Sequence, residues 1–91
     1  MQIYLRPISG RIITITINKD DMIERIKEKI KEKEGIPIEE ILIYKNGSIL
    51  LDHKLLSDYG IESYDTLKYL KRKLIFIHVI FFFFSYFFYF F

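Results

Sequence analysis

Residues 1–6, Met1-Gln2-Ile3-Tyr4-Leu5-Arg6, alternate apolar and mostly polar side chains. Period two is the mark of a strand with one face buried. Pro7-Ile8-Ser9-Gly10 follows as a turn, with proline fixing φ and glycine free to take positive φ. Ile12-Ile13-Thr14-Ile15-Thr16-Ile17 is then rich in β-branched residues, with Ile13, Ile15 and Ile17 on one side. The two segments predict a β-hairpin.

From Asp21 the period changes. Ile23, Ile26 and Ile30 lie at i, i+3 and i+7, a narrow apolar stripe on a helix. Asp21 is placed to cap that helix and Glu24 to reach back, as in a capping box. The rest of Glu24–Glu34 is Lys, Arg and Glu, with opposite charges three apart at Glu24/Lys27, Glu28/Lys31 and Lys31/Glu34. Such a run reads as a solvated helix face. Gly35 is placed to end the helix, and Pro37 prevents it from resuming.

Ile41-Leu42-Ile43-Tyr44 and Ile49-Leu50-Leu51 flank Asn46-Gly47, a two-residue hairpin loop. If the loop has two residues, Lys45 stands opposite Ser48 and Ile43 opposite Leu50. Ile43 and Leu50 then point inward, while Tyr44 and Ile49 point out; a one-residue slip would put Ile43 outward instead. Residues 55–61 form a compact turn. Thr66-Leu67-Lys68-Tyr69-Leu70 alternates once more, with Leu67 and Tyr69 inward and Lys68 and Leu70 outward.

The order is strand, strand, helix, strand, strand, turn, strand: an α+β fold with a mixed sheet packed on one helix. Some fifteen apolar side chains are expected in the core, among them Met1, Ile3, Leu5, Ile13, Ile15, Ile17, Ile23, Ile26, Ile30, Ile43, Leu50, Leu56, Ile61 and Leu67. At about 1.5–3 kcal/mol each, these side chains oppose an ordering entropy of similar size.

Composition narrows the function classes. The chain of 91 residues has no cysteine, which excludes disulfides, thiolate zinc sites and a cysteine nucleophile. The net charge of +2 sums 14 basic and 12 acidic side chains. That balance argues against nucleic acid as partner, since phosphate-tracking surfaces concentrate Lys and Arg. His53 and His78 lie in different segments without clustered carboxylates, so no metal or cofactor is expected. His53 with Ser57 and Asp58 does not make a catalytic set, because close neighbours on a turn rarely converge and there is no oxyanion element. No catalytic residue is expected. The amino terminus lacks the basic and apolar regions of a signal peptide.

Residues 1–73 resemble the ubiquitin family. Met1-Gln2-Ile3, Gly10, Ile13-Thr14, Lys27, Lys29-Ile30, Lys33-Glu34-Gly35-Ile36-Pro37, Gly47, Leu50, Asp52, Leu56-Ser57-Asp58-Tyr59, Ile61 and Thr66-Leu67 are similar to ubiquitin in an ungapped register. The run Glu24-Arg25-Ile26-Lys27-Glu28 is closer to the Rub modifiers, relatives attached to cullins. The resemblance implies a β-grasp fold and a protein tag, with ubiquitin-pathway activating and conjugating enzymes or ubiquitin receptors as partners, in cytoplasm and nucleus. It also implies a partner-binding patch at Ile8, Tyr44, Lys68 and Leu70, linkage lysines at Lys27, Lys29 and Lys33, and an activating-enzyme contact at Arg72. Tyr44 stands where the family has its central isoleucine. Ser48 and Ser63 stand where ubiquitin has its most used linkage lysines. Arg72 matches ubiquitin, whereas Rub proteins have alanine there. The family's mature Gly-Gly ending has no counterpart, for Lys73-Leu74-Ile75-Phe76 follows Arg72 and no glycine follows Gly60. This form therefore lacks the carboxylate that an activating enzyme adenylates, which puts its conjugation in doubt.

At that point the chain changes material. All charged side chains lie in residues 1–73, and all nine Phe lie in residues 76–91. As a helix, residues 74–91 would rise about 27 Å, close to the ~30 Å hydrocarbon core. Lys71-Arg72-Lys73 would then remain on the cytosolic side. This reading makes the chain tail-anchored, its ubiquitin-like head an interaction module. The alternative is informational: Phe, Ile, Leu, Tyr and Ser share T-rich triplets, so translated non-coding sequence would have the same composition. Both readings stay open.

Overall fold

A computed structural model of the chain describes residues 1–72. The readings of the Phe-rich segment 74–91 lie outside the described residues. No helix among the described residues is long and apolar enough to cross a membrane.

Five strands and one long helix follow in the expected order. They are β1 (Gln2–Pro7), β2 (Ile13–Thr16), α1 (Ile23–Glu34), β3 (Ile41–Lys45), β4 (Ser48–Ile49) and β5 (Thr66–Lys71). Two 3-10 turns, Ile38–Glu40 and Leu56–Tyr59, fill the connections. The sheet runs β2-β1-β5-β3-β4. β1 and β5 are parallel at its centre, and the remaining pairs are antiparallel. This mixed sheet with one helix is the β-grasp arrangement.

The alternation along each strand decides its register. Ile3 and Leu5 face Ile15 and Ile13 across the first hairpin. Asn46 and Gly47 both take positive φ, 52° and 81°, the backbone that matches the twist of a two-residue hairpin. Tyr44 therefore pairs with Ile49 and Lys45 with Ser48. The Leu50 amide donates to the Ile43 carbonyl at 2.8 Å. Ile43 and Leu50 are buried and Ile49 is exposed, as the loop requires.

The core joins the inner faces of all the long strands to Ile23, Ile26 and Ile30 of α1. It differs from expectation at its margins. Met1 and Ile13 only pack against it, whereas Ile41 is fully part of it; Tyr69 is buried, as its inward position on β5 requires. Ile41 escapes pattern reading because Ile41-Leu42-Ile43 is continuously apolar and offers no polar position to set the phase.

Two expectations about α1 are corrected. The capping box does not form: Met22 holds the N-cap position and no side chain caps the helix. The Asp21 carboxylate instead accepts the Asn18 amide at 3.1 Å. The first helical amides are taken by a distant loop, Ile23 N–H by the Lys54 carbonyl at 2.9 Å and Glu24 N–H by the Asp52 carbonyl at 3.2 Å. These donors have no partner within a helix, so the loop does the work of a cap. The predicted ion pairs are also replaced, because Arg25 pairs with Glu28 at 2.6 Å. That hydrogen bond chiefly raises the Arg25 pKa. The other end is as expected: Gly35 takes φ 70° and its amide donates to the Lys31 carbonyl at 2.9 Å.

Candidate functional site

A sheet covered by a helix on one side leaves its other side to be explained. Strand pairing arranges that outer face in rows. In one row Ile49, Tyr44, Lys68 and Arg6 stand side by side on β4, β3, β5 and β1. In the next, Leu42 pairs with Leu70, and Ile8 follows β1 immediately beyond. Adjacent strands lie about 4.8 Å apart, so each row is a contiguous strip.

Three of the expected patch residues, Tyr44, Lys68 and Leu70, thus come together directly through register. The fourth, Ile8, is 82% exposed at the tip of the first turn. It reaches the same neighbourhood, since Ile8, Ile36, Tyr69, Leu70 and Lys71 line one shallow groove. Tyr44 and Leu70 are half-buried, and Lys68 is exposed. Ile49 is 51% exposed, a substantial apolar surface at the rim.

Sequence reading missed Leu42 and Arg6 as members of this surface. Alternation already assigned Arg6 to the polar side of β1. What was lacking was the sheet order, which seats β5 between β1 and β3 and so brings Arg6 beside Lys68. The opposite end of the face is aromatic. There Tyr4 and Tyr64 contact one another, with ring centroids 6.3 Å apart and planes tilted by 35°.

The three lysines on α1 separate. Lys27 was expected on a solvated face, but the side chain is only 9% exposed and its Nζ lies 2.5 Å from the Asp52 carboxylate. A buried ammonium needs such a partner, and the pairing leaves it poorly placed as a nucleophile in the folded protein. Lys33 is exposed, with Nζ donating to the Thr14 carbonyl at 2.7 Å. Lys29 is half-buried.

Arg72 closes the described segment. Its amide donates to the Glu40 carbonyl at 2.7 Å and its Nε to the Glu39 carbonyl at 3.3 Å. The chain leaves the sheet tethered to the 3-10 turn at Ile38–Glu40. Below it, burial raises the Tyr69 pKa, with the Glu34 carboxylate adding to the effect. Among the described residues no group of three or more His, Cys, Asp or Glu could hold a metal.

Residues 3–74 match the family model of the ubiquitin family. The chain is 40% identical over 62 residues to ubiquitin-like protein NEDD8 of Dictyostelium discoideum, covering 68% of this chain and 80% of that one. It is equally similar to the NEDD8-like protein RUB3 of Arabidopsis thaliana, at 40% over the same shares. Ubiquitin-like protein 1 of Schizosaccharomyces pombe is 34% identical over 62 residues, again 68% of this chain and 80% of the relative. With the sheet, its register and the matched span in agreement, this chain belongs to the ubiquitin family.

Proposed function

We propose that this protein is a ubiquitin-like tag read by ubiquitin-pathway enzymes and receptors through the outer face of its sheet. The observation that carries the reading is the strip formed by Ile8, Leu42, Tyr44, Ile49 and Leu70 around Lys68. Scattered apolar residues on a surface need no explanation, but register makes Leu42, Tyr44, Ile49 and Leu70 contiguous, and Ile8 shares a groove with Leu70. Aromatic residues at the centre of such a surface are the usual anchors of binding. Cytoplasm and nucleus are the compartments that suit this role.

Residues 1–72 contain all the described strands, the described helix and the described core, so a fragment 1–73 is a suitable unit to study. Titrating it with a helical ubiquitin-receptor module should shift the amides of β3 and β5. Tyr44→Ala or Leu70→Ala should each weaken binding by about 1–2 kcal/mol. Shifts confined to Lys27–Lys31, with Leu70→Ala binding normally, would place the recognition surface on the helix instead.

Conjugation is the finer question. Arg72 is the contact expected for an activating enzyme, yet Lys73-Leu74-Ile75-Phe76 follows it where a diglycine would be needed. This form should not acquire a thioester when incubated with activating enzyme and ATP. The double variant Ile75→Gly/Phe76→Gly, truncated directly after its new diglycine, should acquire one. Where a further tag is attached to this one, Lys29 and Lys33 are the favoured acceptors, and Lys27 is disfavoured by its pairing with Asp52.

A second reading rests on the tail. Eighteen residues without Asp, Glu, Lys or Arg follow Lys71-Arg72-Lys73, the length and flank of a cytosol-facing anchor. The head would then recruit receptors without being conjugated. Alkaline carbonate extraction of the native protein should leave it in the membrane pellet; release to the supernatant would remove this reading.

A further inference from the structure

We propose that Asn46-Gly47, at the tip of the second hairpin, is a self-modifying site where the chain converts to isoaspartate, the substrate class of protein isoaspartyl methyltransferases. The main-chain nitrogen of Gly47 attacks Cγ of the Asn46 side chain. The new C–N bond closes a succinimide ring, and the side-chain nitrogen leaves as ammonia with the proton of the Gly47 amide. Water then opens the ring. Cleavage at Cγ gives aspartate in the ordinary chain. Cleavage at the Asn46 main-chain carbonyl carbon instead routes the chain through the side chain, as isoaspartate. No oxidant or reductant takes part.

Glycine leaves the attacking nitrogen unscreened, for it has no side chain. Apart from its chain neighbours, no atom lies within 4 Å of the place a Cβ on Gly47 would take. Asn46 and Gly47 are both exposed to the water that opens the ring. The closed turn works against ring closure, because it fixes Asn46 and Gly47 at φ 52° and 81°. The tip must therefore open first, and here opening costs little. β4 consists of Ser48 and Ile49 alone, both exposed, at the edge of the sheet. Two register pairs, Tyr44 with Ile49 and Lys45 with Ser48, close it. Ends of this kind open locally with free energies far below that of the whole fold.

The other asparagine of the chain, Asn18, is built differently. The residue after it is Lys19, whose side chain crowds the nitrogen that would attack. Its own amide donates to the Asp21 carboxylate at 3.1 Å, and its carbonyl accepts the Asp21 amide at 3.0 Å. Asn18 is braced on both main-chain groups, and it serves as an internal control. The two products at Asn46 also differ in consequence. Aspartate keeps the loop length, and Asp-Gly suits the same turn. Isoaspartate adds a methylene to the main chain, so Lys45 no longer closes on Ser48 and the register pinned by the loop is released. Tyr44 and Ile49, paired across the hairpin, and the buried Leu50 feel that change. The rim of the outer face is thereby altered with the age of the molecule, whatever binds there.

The test incubates residues 1–73, with folding checked by the amide spectrum, at neutral and mildly alkaline pH. Peptide mass spectrometry then locates any exchange of a side-chain –NH2 for –OH. Conversion should occur at Asn46 and not at Asn18, and faster at the higher pH, because the Gly47 nitrogen must lose its proton. Its rate should lie within about tenfold of that in the chain unfolded by guanidinium chloride, as a locally opening tip requires. The product should accept a methyl group from S-adenosylmethionine through protein isoaspartyl methyltransferase. Asn46→Gly, which suits the same turn, should neither convert nor accept it. The purified isoaspartyl form should shift the amides of Tyr44, Ile49 and Leu50 beyond those of the Asn46→Asp variant. An intact Asn46 in the folded protein, after the unfolded chain has converted, overturns the proposal and shows that the turn protects the site. Conversion to aspartate without isoaspartate overturns it as well. An isoaspartyl form with the amide pattern of Asn46→Asp overturns the release of register.

Discussion

Leu67 and Lys68 are neighbours on one strand and live in different solvents. Leu67 is fully buried against α1, and Tyr69 beyond it is nearly so. Lys68 and Leu70 look out on the other side, one exposed and one half-covered. The inner face is determined by what this chain can fill by itself, namely isoleucine and leucine meeting the stripe on the helix. The outer face is apolar too, but nothing among the described residues covers it, and its charges are one-signed. The difference separates two reasons for apolar residues in a sheet. Inside, they exclude water to hold the fold; outside, they form the strip on which the proposed recognition rests.

The largest expected effect compares Leu67→Ala with Leu70→Ala. The first opens a cavity in the core and should cost about 2–5 kcal/mol of unfolding free energy. The second removes half-exposed surface and should cost less than about 1 kcal/mol. Urea unfolding of residues 1–73 measures both, and equal losses would mean that the two faces are not distinct. A middle-sized effect comes from cations. Asp52→Ala strands the buried Lys27 ammonium and should destabilise by about 2 kcal/mol, discounted from a fully buried pair because Asp52 is half exposed. Arg6→Gln should leave stability unchanged or slightly raise it, because it relieves repulsion from Lys68. The smallest effect concerns pH. Tyr69 is favoured neutral in the folded state, so its contribution is fully present below the ordinary tyrosine pKa of about 10 and is lost as pH rises through its raised folded value. Tyr69→Phe should therefore flatten part of the alkaline decline in stability, as denaturant midpoints between neutral and strongly alkaline pH would show.

Much of this was legible from residue order. The Asn46-Gly47 loop decided which of Ile43 and Tyr44 turns inward, because a slip of one residue exchanges the faces. Gly35 ended the helix where a left-handed residue was required. What stayed hidden depended on contacts remote in sequence. Lys27 looked like one more solvated lysine, since its position relative to Asp52 exists only after the loop at 52–54 packs on the helix. Leu42 and Arg6 joined the outer surface only through the strand order, which no local pattern encodes. The cap at Met22 was missed for the same reason: the expected capping residue, Asp21, serves the loop before the helix.

That loop-made cap has a kinetic meaning. A helix whose first amides answer to carbonyls of Asp52 and Lys54, some thirty residues downstream, cannot complete its opening turn until the chain beyond β4 has arrived. Peptides cut from residues 18–36 would fray at that end, and in the intact domain hydrogen exchange at Ile23 and Glu24 would follow opening of the 52–54 loop more closely than fraying of the helix. The start of the helix is a long-range contact, and its formation belongs late in assembly, with the closure of the second hairpin against the first.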